Sequence, residues 1–256
     1  MKVKYDIVNA RRSSIAKYIR DHEDISTNKL IEHFNVSDVT IRRDLTFLEE
    51  NGFIDRYYGG ARIITNPLST SNTPYKRLIA QKAASLIKDG DIIYINSSST
   101  ALLIIEYIKN KHVVIITNNA KALFIDHDPN ISIFFLGGEI RFPKEVMVGD
   151  FALNNLNTTI ADKAFLGCSG ISTEIGISTA VVSEVAINQK MIEKTKDKVY
   201  MLADHTKVGN NHSFCTGPIN CIDCLITDSY TDDTFCNKVR EQNVEVIKVE
   251  ALNLNI

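Results

Sequence analysis

The sequence lacks any apolar run long enough to cross a membrane. Its apolar runs, such as Val113 to Ile116 and Ile131 to Leu136 (broken by Ser132), fall far short of the ~20 residues a span needs. The opening MKVKYDIVNARRSS carries basic residues but no apolar stretch, so no secretory signal is expected and the expected compartment is the cytoplasm. An excess of either charge is also missing, with 29 Lys and Arg against 31 Asp and Glu. Before residue 66 the balance is 11 basic to 10 acidic. Any nucleic-acid binding must therefore arise from local geometry and not from bulk charge.

Metal-ligand spacing is scarce too. Cys221 and Cys224 form one C-x2-C, but no second such pair and no H-x3-H accompanies them, and the six histidines show no metal spacing. Five cysteines, an odd number, are expected to be reduced, packed thiols. Neither a metal nor a cofactor is expected. No solenoid-period repeat or low-complexity tract occurs. What remains is 256 residues with 44% hydrophobic and 23% charged, an ordinary globular composition sufficient for one large domain or two.

Two patterns divide the chain. Residues 9 to 51 place Ile15, Ile19, Leu30, Ile31, Phe34, Ile41, Leu45 and Leu48 at helical spacing. FIDRYYGGARII (53–64) reads as two short strands around Gly59-Gly60. NPLSTSNT then reads as a linker, after which Pro74 opens a helix at a tolerated first-turn position. Beyond Gly90, the apolar runs DIIYI, VVIIT, ISIFFLGG, KAFLG, KVYMLAD and DCLITD have strand length. Helical stretches such as Ala101 to Lys109 and Glu184 to Lys194 lie between several of them. That alternation predicts a parallel sheet covered on both faces, with ligands beyond the carboxyl ends of its strands.

The segment from Ile25 to Ile54 carries the sharpest motif. Ser26 and Ser37 each suit a helix N-cap, with Ile25 and Val36 before them and Leu30 and Ile41 inside to form hydrophobic staples. Asn35-Val36 is a tight connection, and Gly52 suits a helix stop. Two short helices so joined form a helix-turn-helix. With Ile41, Leu45 and Leu48 buried, Ser37, Asp38, Thr40, Arg42 and Arg43 lie on or beside the exposed face, at the end that reads base edges. The bland alternative pairs Arg42 or Arg43 with Asp44 or Glu49 on a solvated helix. The double cap, TIRRDL and the following hairpin favour DNA.

Arg11-x3-Ile15-x3-Ile19, the run Ser37 to Leu45, and Arg56-Tyr57-Tyr58-Gly59-Gly60-Ala61 closely resemble the DeoR-type bacterial transcriptional regulators. The resemblance implies a winged helix-turn-helix over residues 1–65, a linker over 66–74 and an effector-sensing α/β domain over 75–256. In that domain a Rossmann-like fold similar to sugar-phosphate isomerases is implied. Expected DNA contacts are Ser26, Thr27, Ser37, Asp38, Thr40, Arg42, Arg43, Arg56 and Tyr58, the last standing where the family often has His. Later matching stretches are KRLIAQKAASLIKDGD, TNN (117–119), LGGEIR (136–141), DKAFLGCSGI (162–171) and DHTKVG (204–209).

In the second domain, Asn96-Ser97-Ser98-Ser99-Thr100 follow a strand and open a helix, an arrangement suited to cradling phosphate. A simple capped turn is the alternative. The family usually has Asp and Gly where this chain has Asn96 and Ser98, a change that phosphate binding tolerates better than isomerase chemistry does. Asp204 and Lys207 follow another strand, with Asp suited to sugar hydroxyls and Lys to phosphate, or alternatively as a surface pair. Thr117, Asn118, Gly137, Gly138 and Gly170 complete the effector set. Asn188 replaces the basic residue expected four positions after Glu184, so neither is assigned a ligand role, and His205 is read as a turn residue. No catalytic residue is expected. The implied partners are operator DNA, a phosphorylated sugar and further copies of the chain, as dimer or tetramer. Two rivals stand beside this repressor reading. One is a sugar-phosphate isomerase or deaminase with an attached DNA-binding domain. The other is a protein–protein adaptor, disfavoured by Arg42 and Arg43.

Overall fold

A computed structural model describes residues 2–22, 24–50, 54–57, 59–63, 73–142 and 144–250. The chain divides into two compact units, with the boundary between Tyr75 and Lys76. Most of the expected linker, Gly52 and Tyr58 lie outside the described residues.

The first unit comprises α1 (Lys2–His22), β1 (Asp24–Ser26), α2 (Thr27–Phe34), α3 (Asp38–Glu50), β2 (Ile54–Tyr57) and β3 (Gly60–Ile63). Its core is the expected apolar stripe: Ile15 and Ile19 from α1, Leu30 from α2, and Ile41, Leu45 and Leu48 from α3, all buried. Both expected caps form. Ser26 Oγ accepts from Lys29 N at 3.4 Å, and Ser37 Oγ accepts from Thr40 N at 3.3 Å. Asn35 ends α2 in the left-handed region at φ 48°, which its short polar side chain tolerates. The wing has one strand more than its sequence suggests, because β1 pairs antiparallel with β3 on the side opposite β2. Gly59 turns the wing at φ +92°, and a Cβ on Gly60 would sit 2.8 Å from the Ile25 carbonyl oxygen, so both positions require glycine.

In the second unit, α4 (Thr73–Ser85) leads in across the boundary. There follow β4 (Ile92–Ile95), α5 (Ser99–Leu102), α6 (Ile104–Tyr107), β5 (Val113–Thr117), β6 (Ile131–Phe135), β7 (Glu139–Arg141), β8 (Val146–Val148) and α7 (Asp150–Asn157). Next come β9 (Ala161–Gly167), β10 (Gly170–Ser172), β11 (Gly176–Thr179), α8 (Val182–Glu193), β12 (Thr195–Leu202) and β13 (Phe214–Gly217). The unit ends with β14 (Cys224–Asp228), α9 (Asp233–Glu241) and β15 (Glu245–Val249). Seven parallel strands run in the order β15-β14-β12-β9-β4-β5-β6. Successive residues of each central strand enter different cores. Ile93, Ile95 and Phe165 pack with α4 to α6, whereas Tyr94, Ala164 and Leu166 pack with α7 to α9. Both faces are buried, which is why these strands read as unbroken apolar runs.

Two elements differ from expectation. The helix expected over 101–109 breaks at Leu103 into two single turns, with Ile104, Ile105 and Ile108 all fully buried. A second, antiparallel sheet in the order β10-β11-β13 and the hairpin β7-β8 project from the main sheet. No helix among the described residues is long and apolar enough to cross a membrane.

Candidate functional site

On α3, Ile41, Asp44, Leu45 and Leu48 face inward. Val39, Arg42 and Arg43 form the exposed stripe, with Thr46 half-buried below them. Arg42 Nε donates to both carboxylate oxygens of Asp38 at 2.8 Å, one turn back on the same helix. Arg43 forms no ion pair among the described residues. Val39 is 66% exposed beside them and offers a methyl surface of the kind that meets thymine.

Asp44 is not a surface partner. It is 1% exposed and accepts from Arg11 Nε at 2.6 Å and Arg12 Nε at 2.9 Å, with the Arg12 guanidinium 3.7 Å from the centre of the Phe47 ring. Two cations on one buried carboxylate lock α1 to α3. Several of the expected DNA contacts also have partners within the protein. Thr27 is buried and donates its N–H to the Gly59 carbonyl, and Thr40 shares a hydrogen bond with the Ser37 hydroxyl. Arg56 Nη1 donates to Thr46 Oγ1 at 2.7 Å, bracing the wing against α3.

In the second unit the chain runs from β4 outward to β5 and β6, then returns to place β9 on the other side of β4. That reversal is a topological switch point, where open α/β sheets leave a crevice. A cavity of about 290 Å³ occupies it. Its wall comes from strand ends: Ser97 to Thr100 after β4, Asn119 and Lys121 after β5, Cys168 and Ser169 after β9, and Asp204 and Lys207 after β12. Lys76, Lys144, Thr179, Glu184 and Asn188 line it as well.

The cavity thus has four lysines against two carboxylates. Glu184 is buried, accepting from Lys144 Nζ at 3.1 Å and Thr179 Oγ1 at 2.7 Å. Lys121 Nζ lies 3.9 Å from Glu145. Lys76 and Lys207 form no ion pair among the described residues. Buried Asp204 accepts from the Thr206 N–H and hydroxyl, capping the turn His205–Lys207. His205, the first residue of that turn, is held against buried Asp228, its Nδ1 2.9 Å from a carboxylate oxygen. Burial pushes the Cys168 thiol up to about 12, so this lining cysteine stays protonated at neutral pH.

The structure gives several of the expected effector residues local roles of their own. Ser98 Oγ accepts from Thr100 N at 3.2 Å and Ala101 N at 3.3 Å, which makes the segment a capped turn before a four-residue helix. Gly137, Gly138 and Gly170 lie outside the lining; Gly138 backs onto the Val148 carbonyl and Gly170 onto Asn210, so their smallness serves packing. Thr117 and Asn118 are fully buried, and Thr117 Oγ1 accepts from Asn119 N at 3.0 Å, shaping the turn that presents Asn119 and Lys121.

Conversely, Glu184 and Asn188, given no ligand role from sequence, both line the cavity. Two of the departures from the family pattern, Asn96 and Asn188, prove to be one contact. Asn96 Nδ2 donates to Asn188 Oδ1 at 3.0 Å and to Gly167 O at 2.9 Å, while its Oδ1 accepts from Gly167 N at 3.0 Å and Ser98 N at 3.2 Å. An amide satisfies all four; a carboxylate would lack both donors. Among the cysteines, packing fails at exposed Cys215. No cluster able to hold a metal ion occurs among the described residues.

Residues 11–66 match the DeoR-like helix-turn-helix domain, and residues 71–229 the DeoR C terminal sensor domain. The chain is 33% identical over 247 residues to the uncharacterized HTH-type transcriptional regulator FruR of Bacillus subtilis (strain 168), covering 93% of this chain and 98% of that protein. The lactose phosphotransferase system repressor of Staphylococcus aureus (strain NCTC 8325 / PS 47) is 33% identical over 252 residues, with 93% and 95% covered. The HTH-type transcriptional repressor GlcR of Bacillus subtilis (strain 168) is 32% identical over 250 residues, with 94% and 96% covered. These matches run through the residues of both units. The chain belongs to the DeoR family of helix-turn-helix transcriptional regulators.

Proposed function

We propose that the chain represses genes of sugar metabolism in the cytoplasm, binds operator DNA as an oligomer, and responds to a phosphorylated sugar in the switch-point cavity. The observation that carries this reading is the cavity's charge: two more cations than carboxylates, with Lys76 and Lys207 lacking carboxylate partners among the described residues. A phosphate monoester near its dianionic form balances two such charges. Buried Glu184 and the neighbouring amide of Asn188 suit sugar hydroxyls at the same cavity. Arg43 and Val39 on the exposed face of α3 are the proposed readers, with Arg42 on phosphate or base.

The sensor acts as a binder and not an enzyme in this reading. Both oxygens of Glu184 are engaged by Lys144 and Thr179, and Asn96 carries no carboxylate to move a proton. A thermal-shift screen of sugar phosphates beside their free sugars tests the effector. A ligand specific to the folded state stabilises by about 2.7 kcal/mol at a hundredfold excess over its dissociation constant. Lys207→Ala and Lys76→Ala are each expected to reduce the phosphate-dependent shift. Equal shifts from free sugars would refute the phosphate reading, and turnover of an aldose or ketose phosphate would establish the enzyme instead.

A further inference from the structure

The seven-stranded sheet is covered unevenly. On the face packed by α7 to α9, a groove of about 450 Å³ lies over β4, β5 and β6, lined by Ile92, Val114, Ile116, Phe134 and Ile160 among others. No charged residue lines it. Asn155 of α7 forms part of its wall, so helix cover stops there. Strands of a parallel sheet are ordinarily covered on both faces.

Protruding apolar groups share this face. Phe134 is 58% exposed, Ile160 61% and Phe135 36%. Phe151 is 78% exposed and lies four residues before Asn155, hence on the same side of α7. Beside them β6 ends the sheet, with no strand on its outer edge among the described residues and no Lys or Pro within it to block pairing.

At about 150–250 Å² per aromatic side chain, the exposed parts of these four residues supply roughly 400 Å² of apolar surface. A stable pair buries about 800 Å² on each partner, somewhat over half of it apolar, so the supply is near what one such interface needs. A two-fold contact uses the same patch on both copies and must therefore contain both hollow and projection. This patch has both. We propose that it is a two-fold interface between two copies of this chain, the projecting apolar side chains of each meeting the groove of the other. The inference rests on the oligomeric reading above and assigns it a surface.

The test measures the mass of the full chain by sedimentation velocity at operator-binding concentrations. Phe134→Asp and Ile160→Asp are each expected to sediment at half the wild-type mass, while Ile175→Asp, on the β10–β11 turn, leaves the mass unchanged. Ile160 sits in the loop between α7 and β9, so that variant decides the matter should Phe134→Asp fail to fold. Both variants keeping the mass of an oligomeric wild type would overturn this surface and leave oligomerisation standing. A monomeric wild type would overturn both.

Discussion

Arginines beside the helix-turn-helix are held by carboxylates, Arg11 and Arg12 by buried Asp44 and Arg42 by Asp38. Around the sensor cavity, Lys76 and Lys207 have no such partner among the described residues. The difference follows from what each unit must meet. A DNA-reading helix docks as a rigid body, and the planar arginine fork, pinned by a carboxylate, holds the helix in register. A small anion that comes and goes is better met by a flexible point charge left unpaired until the ligand arrives. Fixed charge braces the helices of the first unit; spare charge lines the cavity of the second.

The largest expected effect breaks the fixed charge. Asp44→Ala leaves Arg11 and Arg12 beside an apolar core without their shared anion. Removing one partner of a buried pair costs about 3–5 kcal/mol, and we expect ~3 because both arginines keep some contact with water. Hydrogen exchange should rise in α1 and α3 while the sensor unit stays protected. Unchanged protection in α1 would mean that the apolar stripe alone holds the helices together.

This clamp also marks the limit of what the sequence made legible. Caps and staples lie within five residues of their partners, and the apolar stripe repeats every turn, so the helix-turn-helix was readable down to Ser26 and Ser37. Asp44 meets Arg11 and Arg12 across more than thirty residues, and no periodicity records such a pairing. The sensor divides the same way. Six of the seven parallel strands announced themselves as apolar runs, whereas β15, with no fully buried residue, did not. Lys76, Lys121 and Lys144 reach the cavity from three separate segments, gathered by the reversal of strand order at β4. Strand order is a property of the assembled sheet and leaves no local trace.

The Asn96–Asn188 contact tests whether the sensor tolerates fixed charge in place of neutral pairing. Asn96→Asp leaves the Gly167 carbonyl and Asn188 Oδ1 without a donor in a buried site, at a cost of about 1–3 kcal/mol. Adding Asn188→Arg supplies a donor and a counter-charge, so the double variant should regain much of the loss. Thermal unfolding of both single variants and the double variant measures the coupling. Additive losses would show that the two side chains do not act as a pair.

A smaller effect separates the two exposed arginines. Arg43 is already free of ion pairs among the described residues, so Arg43→Ala should cost the ~1–3 kcal/mol of a good base contact. Arg42 must first leave Asp38, and Arg42→Ala should cost less. Operator titration with each variant is the measurement, and equal losses would remove the distinction between held and spare charge within α3.

The smallest expected effect concerns Asp38, and its sign is the informative part. Asp38 can be a base reader, accepting from a cytosine amino group, or a tether that keeps Arg42 off the phosphates. The pair is exposed on both sides, at 60% for Arg42 and 52% for Asp38, so its own contribution to stability is at most ~1 kcal/mol. Asp38 also sits in the first turn of α3, where a negative charge complements the helix N-terminus, and its loss should lower helix stability by a few tenths of a kcal/mol. If it is a tether, Asp38→Ala removes this hold on Arg42 and an anion from the DNA side. Affinity for operator and for unrelated DNA should then rise together, and the salt dependence should steepen by about 0.9 in log–log slope as one more phosphate is neutralised. A base reader gives the opposite: operator affinity falls, binding to unrelated DNA holds, and discrimination at one base pair relaxes. The geometry favours the tether, because Arg42 Nε engages both Asp38 oxygens at 2.8 Å. A fall in operator affinity without a change of slope would return Asp38 to the reading face.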